Sequence, residues 1–207
     1  DVFDHVMWVL DGAPHTIAGQ LAALTHDLAK PATRQVVEDA IKFPKHEELG
    51  AVIAEQMLKR LKFDSETITK VVKLVKEHMR PHHLSDSSEK SIRKFIRDLG
   101  DDLQDCLDLA QADEGATRGP LRVPSNQKLR DRIEQIKNSP VKVSIKPVLN
   151  GFEIMKALGI EPGSRTRLPE IGKAGKFLLD VADDYAAEGK ELTKEEAAKV
   201  LQQEFKP

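Results

Sequence analysis

Leu21-Ala22-Ala23-Leu24-Thr25-His26-Asp27-Leu28-Ala29-Lys30 is the stretch that decides how this chain is read. Its apolar residues, Leu21, Ala22, Ala23, Leu24, Leu28 and Ala29, predict a buried helix. Within that run an imidazole and a carboxylate stand side by side, His26 and Asp27. Burying either is costly unless it is paired, hydrogen-bonded or bound to a metal. The rest of the chain must then supply partners for both.

The flanking segments repeat the helical pattern. Residues 1–12 read as a helix with Val2, Phe3, Val6, Val9 and Leu10 on its apolar side and His5 beside them. Pro14 interrupts, and Pro31 is expected to stop the helix that holds His26. Residues 33–43 are polar and read as loop. A helix starts around Lys45-His46 and runs to about Leu61, with Leu49, Val52, Ile53, Met57 and Leu58 as its buried face. Asp64 or Ser65 caps the next helix, which carries Ile68, Val71, Leu74 and Val75 and ends on His78 and Pro81-His82-His83. Further helices are expected at residues 88–99, closed by Gly100, and at about 101–113. Gly115, Gly119, Pro120 and Pro124 then break the pattern. Beyond them lie helices at about residues 125–138, 152–158 and 169–188, and a last one opened by Thr193-Lys-Glu-Glu196, which has the form of a capping box.

This makes an all-α protein: a helical bundle over residues 1–119 and a smaller helical tail over 120–207. The change in character at the boundary is visible in one residue type, since all seven histidines precede residue 84. Composition excludes several classes. With 32% charged and 40% hydrophobic residues the 207-residue chain is a globular protein rather than a disordered one. Its net charge of −2 excludes a globally basic nucleic-acid binder, though not a local basic patch. A single cysteine, Cys106, allows no internal disulfide and fits a reducing cytoplasm. No apolar run reaches membrane length and no signal peptide is evident.

Six residues stand out as possible ligands: His5, His26, Asp27, His46, His78 and Asp113. They come from five different helices, and each lies on or beside an apolar face or at a helix end. Inward-facing residues from several helices of a bundle can converge on one point. Imidazole and carboxylate donors suit Mn, Fe, Ni, Co or Zn, with Mg also admitted by the carboxylates, and six donors match the needs of one or two metals. Each residue also has a plainer reading. His46 at a helix start is a cap. His78 at a helix end is a charge meeting the dipole. Asp113 is one more acid in an acidic segment, and His82 and His83 sit on the rim.

The set as a whole resembles a known family. His26-Asp27-Leu-Ala-Lys30 resembles the signature of the HD-domain superfamily of metal-dependent phosphohydrolases, with Ala29 where that family usually has glycine. His5 in Asp-Val-Phe-Asp-His-Val matches its upstream histidine, and Asp113 in Gln-Ala-Asp-Glu-Gly-Ala matches its distal aspartate. His46 in Phe-Pro-Lys-His-Glu-Glu and His78 in Val-Lys-Glu-His-Met look like the two further histidines of the dinuclear branch. The second half narrows the match. Residues 145–163, Pro169-Glu-Ile-Gly172 and Thr193-Lys-Glu-Glu-Ala-Ala look like the tail of bacterial tRNA nucleotidyltransferases and their poly(A) polymerase relatives. Residues 164–168 are an insertion relative to that tail. The nucleotidyltransferase head, with its Gly-Ser motif and paired carboxylates, has no counterpart in this sequence.

The resemblance implies a metal-dependent phosphatase or phosphodiesterase, including 2′,3′-cyclic phosphodiester substrates, acting on nucleotides or RNA ends. Asp27 would bridge the metals and carry the catalytic role with Lys30, the signature lysine. Lys30 and Arg118 would meet the substrate phosphate. The alternative it implies is a non-catalytic tRNA-binding body and tail, in which Lys142, Lys146, Arg165, Arg167, Lys173 and Lys176 touch phosphates. A signalling enzyme acting on a cyclic dinucleotide or ppGpp ranks below both, because the tail matches the tRNA enzymes.

Overall fold

A computed structural model describes residues 2–118, 126–144, 146–161 and 168–205, with the side chain of Arg118 outside that description. Twelve α-helices and one two-stranded hairpin make up the described chain. In order they are α1 (Val2–Gly12), α2 (Ile17–Thr25), α3 (Lys30–Thr33), β1 (Gln35–Val37), β2 (Ala40–Lys42), α4 (His46–Arg60), α5 (Ser65–Glu77), α6 (Arg80–Leu84), α7 (Glu89–Leu99), α8 (Leu103–Arg118), α9 (Gln127–Lys137), α10 (Gly151–Ala157), α11 (Leu168–Ala187) and α12 (Lys194–Glu204). A 3₁₀ turn, Gly100–Asp102, joins α7 to α8, with Gly100 at a φ of 55°. Among the described residues no helix is long and apolar enough to cross a membrane.

The helix ends follow local chemistry. Asp64 caps α5 by accepting from the Thr67 N–H. Asn150 with Glu153, and Thr193 with Glu196, form complete capping boxes on α10 and α12. Thr16 caps α2 by accepting from the Gly19 N–H, and here glycine is required. A Cβ at position 19 would lie 2.4 Å from the Pro14 carbonyl oxygen.

Several expectations are corrected. Neither Pro31 nor Pro81 simply stops a helix. Each sits in the first turn of a new short one, α3 and α6, where a missing N–H costs nothing. The segment read as loop at residues 33–43 contains the hairpin, with Val36 paired to Ile41 and the turn at Glu38 and Asp39, both at positive φ. All six of its strand residues are exposed. Helix α8 continues through Gly115 to Arg118 rather than ending near Asp113. The buried face of α4 is made of Gly50, Ala51, Ala54 and Leu58, while Leu49 and Val52 are exposed. Small residues on that face let α4 and α5 pack closely. Val2 and Phe3 of α1 are likewise exposed, and so are Leu24 and Leu28.

Two compact units account for the packing: Asp1–Asp86 with Leu99–Asp131, and Ser87–Asp98 with Arg132–Pro207. The first holds a core of Val9, Ala22, Ala23, Ala54, Leu58, Val71, Leu74 and Leu109. In the second, Leu149, Ile154, Ala174, Leu178, Leu192, Ala197 and Leu201 form one apolar cluster. Its α7 carries four cations, Lys90, Arg93, Lys94 and Arg97. Three of them pair with acids of α11: Lys90 with Asp184, Lys94 with Asp180, and Arg97 with Asp180 and Asp183. The fourth, Arg93, is 1% exposed and reaches Glu89, the Val141 carbonyl and the Ser139 hydroxyl.

Candidate metal centre

All six ligand candidates lie in the first unit, and the fold brings them together. Most of them come from helix ends rather than helix middles. His26 is the C-cap of α2, and Asp27 begins the turn that follows. His46 is the first residue of α4 and His78 the C-cap of α5. His5 of α1 and Asp113 of α8 are brought in by the close packing of those two helices.

Two groups form, and Asp27 belongs to both: His5, His26, Asp27 and Asp113 in one, Asp27, His46 and His78 in the other. Asp27 divides its oxygens between them. Its Oδ2 lies 3.2 Å from His26 Nε2 and 3.8 Å from His5 Nε2, while its Oδ1 lies 3.4 Å from His46 Nε2. Asp113 Oδ1 is 3.1 Å from His5 Nε2 and 3.5 Å from His26 Nε2. His78 meets both His26 and His46 edge-on, at 5.3 Å between ring centroids.

The backbone sets the tautomer of three of these rings. Nδ1 of His26 donates to the Ala23 carbonyl at 2.8 Å, Nδ1 of His46 to Phe43 at 2.8 Å, and Nδ1 of His78 to Val75 at 2.7 Å. In each case the carbonyl is three residues back. With the proton on Nδ1, the neutral ring presents the Nε2 lone pair. Nε2 of His5, His26, His46 and His78 and Oδ1 of Asp27 are buried atoms without a hydrogen-bond partner among the described residues. Converging acceptors that lack a donor suit a divalent cation, and the mixed imidazole and carboxylate set suits Mn, Fe, Co, Ni or Zn.

Electrostatics agree with that donor set. Burial alone would push His26 down, but the charges of Asp113 and Asp27 outweigh it and hold the ring at about 9. Burial tends to raise Asp27, yet His26 and Lys30 hold its carboxyl well below the usual range. Asp113 is also lowered, by His26 against its own burial. His78 is fully buried and is pushed down to about 4 by burial and the neighbouring His26. It is neutral at pH 7, so it is not a charge answering the helix dipole. His46 is 5% exposed, so it is not a surface cap.

Lys30 stands at the edge of the cluster. Its Nζ is 2.5 Å from Asp27 Oδ2 and lies over the Phe43 ring, 5.7 Å from the centroid. A cavity of about 770 Å³ opens there, lined by His5, Asp27, Lys30, Arg34 and Thr117 together with the apolar side chains of Val2, Val6, Leu24, Leu28 and Phe43. That explains the exposure of Leu24 and Leu28 on a helix expected to be buried. Arg34, Phe43 and Thr117 were not singled out from the sequence. Arg34 was legible in principle, as a cation one helical turn after Lys30. His82, read as a rim residue, is partly buried and places its Nε2 3.8 Å from Asp113 Oδ2. The side chain of Arg118 lies outside the described residues, as do Arg165 and Arg167.

Residues 17–112 match the HD domain, and His26-Asp27 lies within the matched stretch. The chain is homologous to bacterial tRNA nucleotidyltransferases. It is 36% identical over 199 residues, 95% of its length, to the CC-adding tRNA nucleotidyltransferase of Thermus thermophilus. It is 29% identical over 169 residues, 77% of its length, to the A-adding tRNA nucleotidyltransferase of Deinococcus radiodurans. It spans 42% and 36% of the length of those two relatives. No solved structure matches the chain.

A metal held by these residues binds the folded state alone, so removing it should lower stability. At a metal concentration about a hundred times Kd the linkage is worth roughly 2.7 kcal/mol. For a chain of this size that corresponds to a fall in Tm of about 5–10 °C on adding chelator. Thermal melts with and without EDTA, followed by metal add-back, measure it; a Tm indifferent to both excludes the site.

Proposed function

We propose that the HD unit is a metal-dependent phosphohydrolase, a phosphatase or phosphodiesterase that acts on nucleotides or RNA ends, including 2′,3′-cyclic phosphodiesters. The observation that carries this reading is the divided carboxylate of Asp27, whose two oxygens face two different sets of unpartnered imidazoles. His5, His26, Asp27 and Asp113 would hold one divalent metal, and Asp27, His46 and His78 a second. Such metals supply an acidified water and neutralise phosphoryl charge.

The chain's own residues do the rest. The three backbone carbonyls keep the imidazoles in the ligating tautomer. Lys30, anchored between Asp27 and Phe43, presents a cation to the phosphoryl oxygens beside the ligand cluster. The apolar walls of the cavity exclude water around the reacting group and receive the nucleoside. In the overall reaction one P–O ester bond breaks, an oxygen from water bonds to phosphorus, and the departing oxygen takes a proton.

The test combines elemental analysis with hydrolysis of nucleoside 2′,3′-cyclic phosphates and bis-p-nitrophenyl phosphate in Mn, Co, Ni, Zn or Mg. One or two equivalents of metal with metal-dependent turnover is the expected result. A protein without metal affinity or turnover contradicts the proposal.

A second reading is favoured by one specific observation, the similarity that runs through 95% of the chain to a tRNA nucleotidyltransferase. On that reading the protein binds tRNA without catalysis, and Lys142, Lys146, Lys173 and Lys176 contribute phosphate contacts. Binding would then weaken steeply with salt. Undetectable tRNA binding at low salt refutes it.

A further inference from the structure

We infer that Arg34 is a specificity residue. It takes a second anionic group on the substrate, so the cavity selects nucleotides or RNA termini that carry a phosphate beyond the one hydrolysed. The inference rests on the hydrolytic reading of the same site and adds the class of substrate.

Lys30 and Arg34 both line the 770 Å³ cavity, but their electrostatic situations differ. Lys30 is already partnered by Asp27 at 2.5 Å and held over Phe43, so it belongs to the ligand cluster. Arg34 is exposed and has no ion-pair partner among the described residues. Its guanidinium is always charged and matches a phosphate with two parallel hydrogen bonds. Lys30–Thr33 is helical and Arg34 is the C-cap, so the two cations stand about one turn apart along one wall. A ligand whose scissile phosphate meets Asp27 and Lys30 therefore has a second cation further along the cavity.

The opposite chemistry lies close by. Val2, Val6, Leu24 and Leu28 add large apolar side chains to the same cavity, and Val2, Leu24 and Leu28 are 76%, 43% and 41% exposed. Such side chains converging on one space with two cations and a cluster of metal-ligand types define a ligand with an apolar body and more than one negative group. A nucleoside with two phosphoryl groups has that form.

The experiment compares adenosine 2′,3′-cyclic phosphate with and without a 5′-phosphate, using wild type, Arg34→Ala and Arg34→Lys. We expect the wild type to show a KM about tenfold or more lower for the 5′-phosphorylated compound, in line with a charge-assisted contact. Arg34→Ala should erase that difference through KM with kcat unchanged, and Arg34→Lys should keep part of it. Equal wild-type KM values overturn the inference. So does an Arg34→Ala variant whose KM rises alike for both compounds, since Arg34 would then serve the scissile phosphate.

Calorimetric binding of adenosine 3′,5′-bisphosphate and adenosine 3′-monophosphate in EDTA gives a readout independent of turnover. A preference for the bisphosphate that Arg34→Ala abolishes supports the inference even if hydrolysis is absent, in which case only the hydrolytic reading fails. No preference overturns it. Arg34 is exposed and has no ion pair among the described residues, so an unchanged Tm is expected for both variants.

Discussion

Asp27→Ala should lower kcat/KM by about 1,000-fold or more, equivalent to roughly 4 kcal/mol of transition-state stabilisation, and the protein should no longer retain metal. The large effect follows from the position of one carboxylate in two ligand sets. Truncation removes a donor from both at once, whereas loss of His5 or His78 removes a donor from one. It also strips Lys30 of its anionic partner. Asp27→Asn is the sharper variant, because it keeps the shape while replacing one acceptor oxygen with a donor amide. Metal content by elemental analysis and kcat/KM on a cyclic phosphodiester measure both consequences. A Asp27→Ala protein that turns over at the wild-type rate contradicts the proposed mechanism.

Arg97→Ala should destabilise the second unit by about 3 kcal/mol, the usual scale for removing one partner of a buried pair. Arg97 bonds Asp183 at 2.5 Å and Asp180 at 3.0 Å, and Asp183 is 1% exposed. Burial pushes the Asp183 carboxyl up from its ordinary value, and Arg97 pulls it back. The sign of the pH dependence follows. A carboxyl raised in the folded state costs stability as pH rises through its folded pKa, because it must ionise while buried. Without Arg97 that loss grows, so the deficit of the variant should be largest at neutral pH and shrink toward pH 4. Urea titrations at pH 4 and pH 7 give the comparison, and a deficit independent of pH contradicts it. An Arg97→Leu Asp183→Leu double variant should recover much of the loss, since no buried charge is then left unpaired.

The sequence made the helical class and the His26-Asp27 pair legible for a simple reason: two polar groups within an apolar run are visible without knowledge of tertiary structure. His46 and His78 were less so. Seen alone, each is a plausible surface cap or dipole charge, and only packing shows one 5% exposed and the other fully buried. The hairpin is not legible in the sequence because Glu38-Asp39 is not one of the usual turn dipeptides and both strands are solvent-exposed. The buried face of α4 departs from the apolar pattern because its larger apolar residues, Leu49 and Val52, are exposed and small ones pack inward. Neighbourhood in space also crosses chain order. Most of α7 packs within the unit of residues 132–207, through charges whose partners lie more than eighty residues away.

The hydrogen bonds behind His26, His46 and His78 bear on how the site tolerates sequence drift. Where a ligating histidine is held by an aspartate or glutamate, one nucleotide change can remove the support. Here each ring is held by a main-chain carbonyl, and no substitution at Ala23, Phe43 or Val75 deletes that atom. Phe43 shows the separation within one residue: replacing its ring would take away the platform under Lys30 and leave the acceptor for His46 in place. The side of each of these three rings that carries the backbone hydrogen bond is thus inherited with the main chain itself.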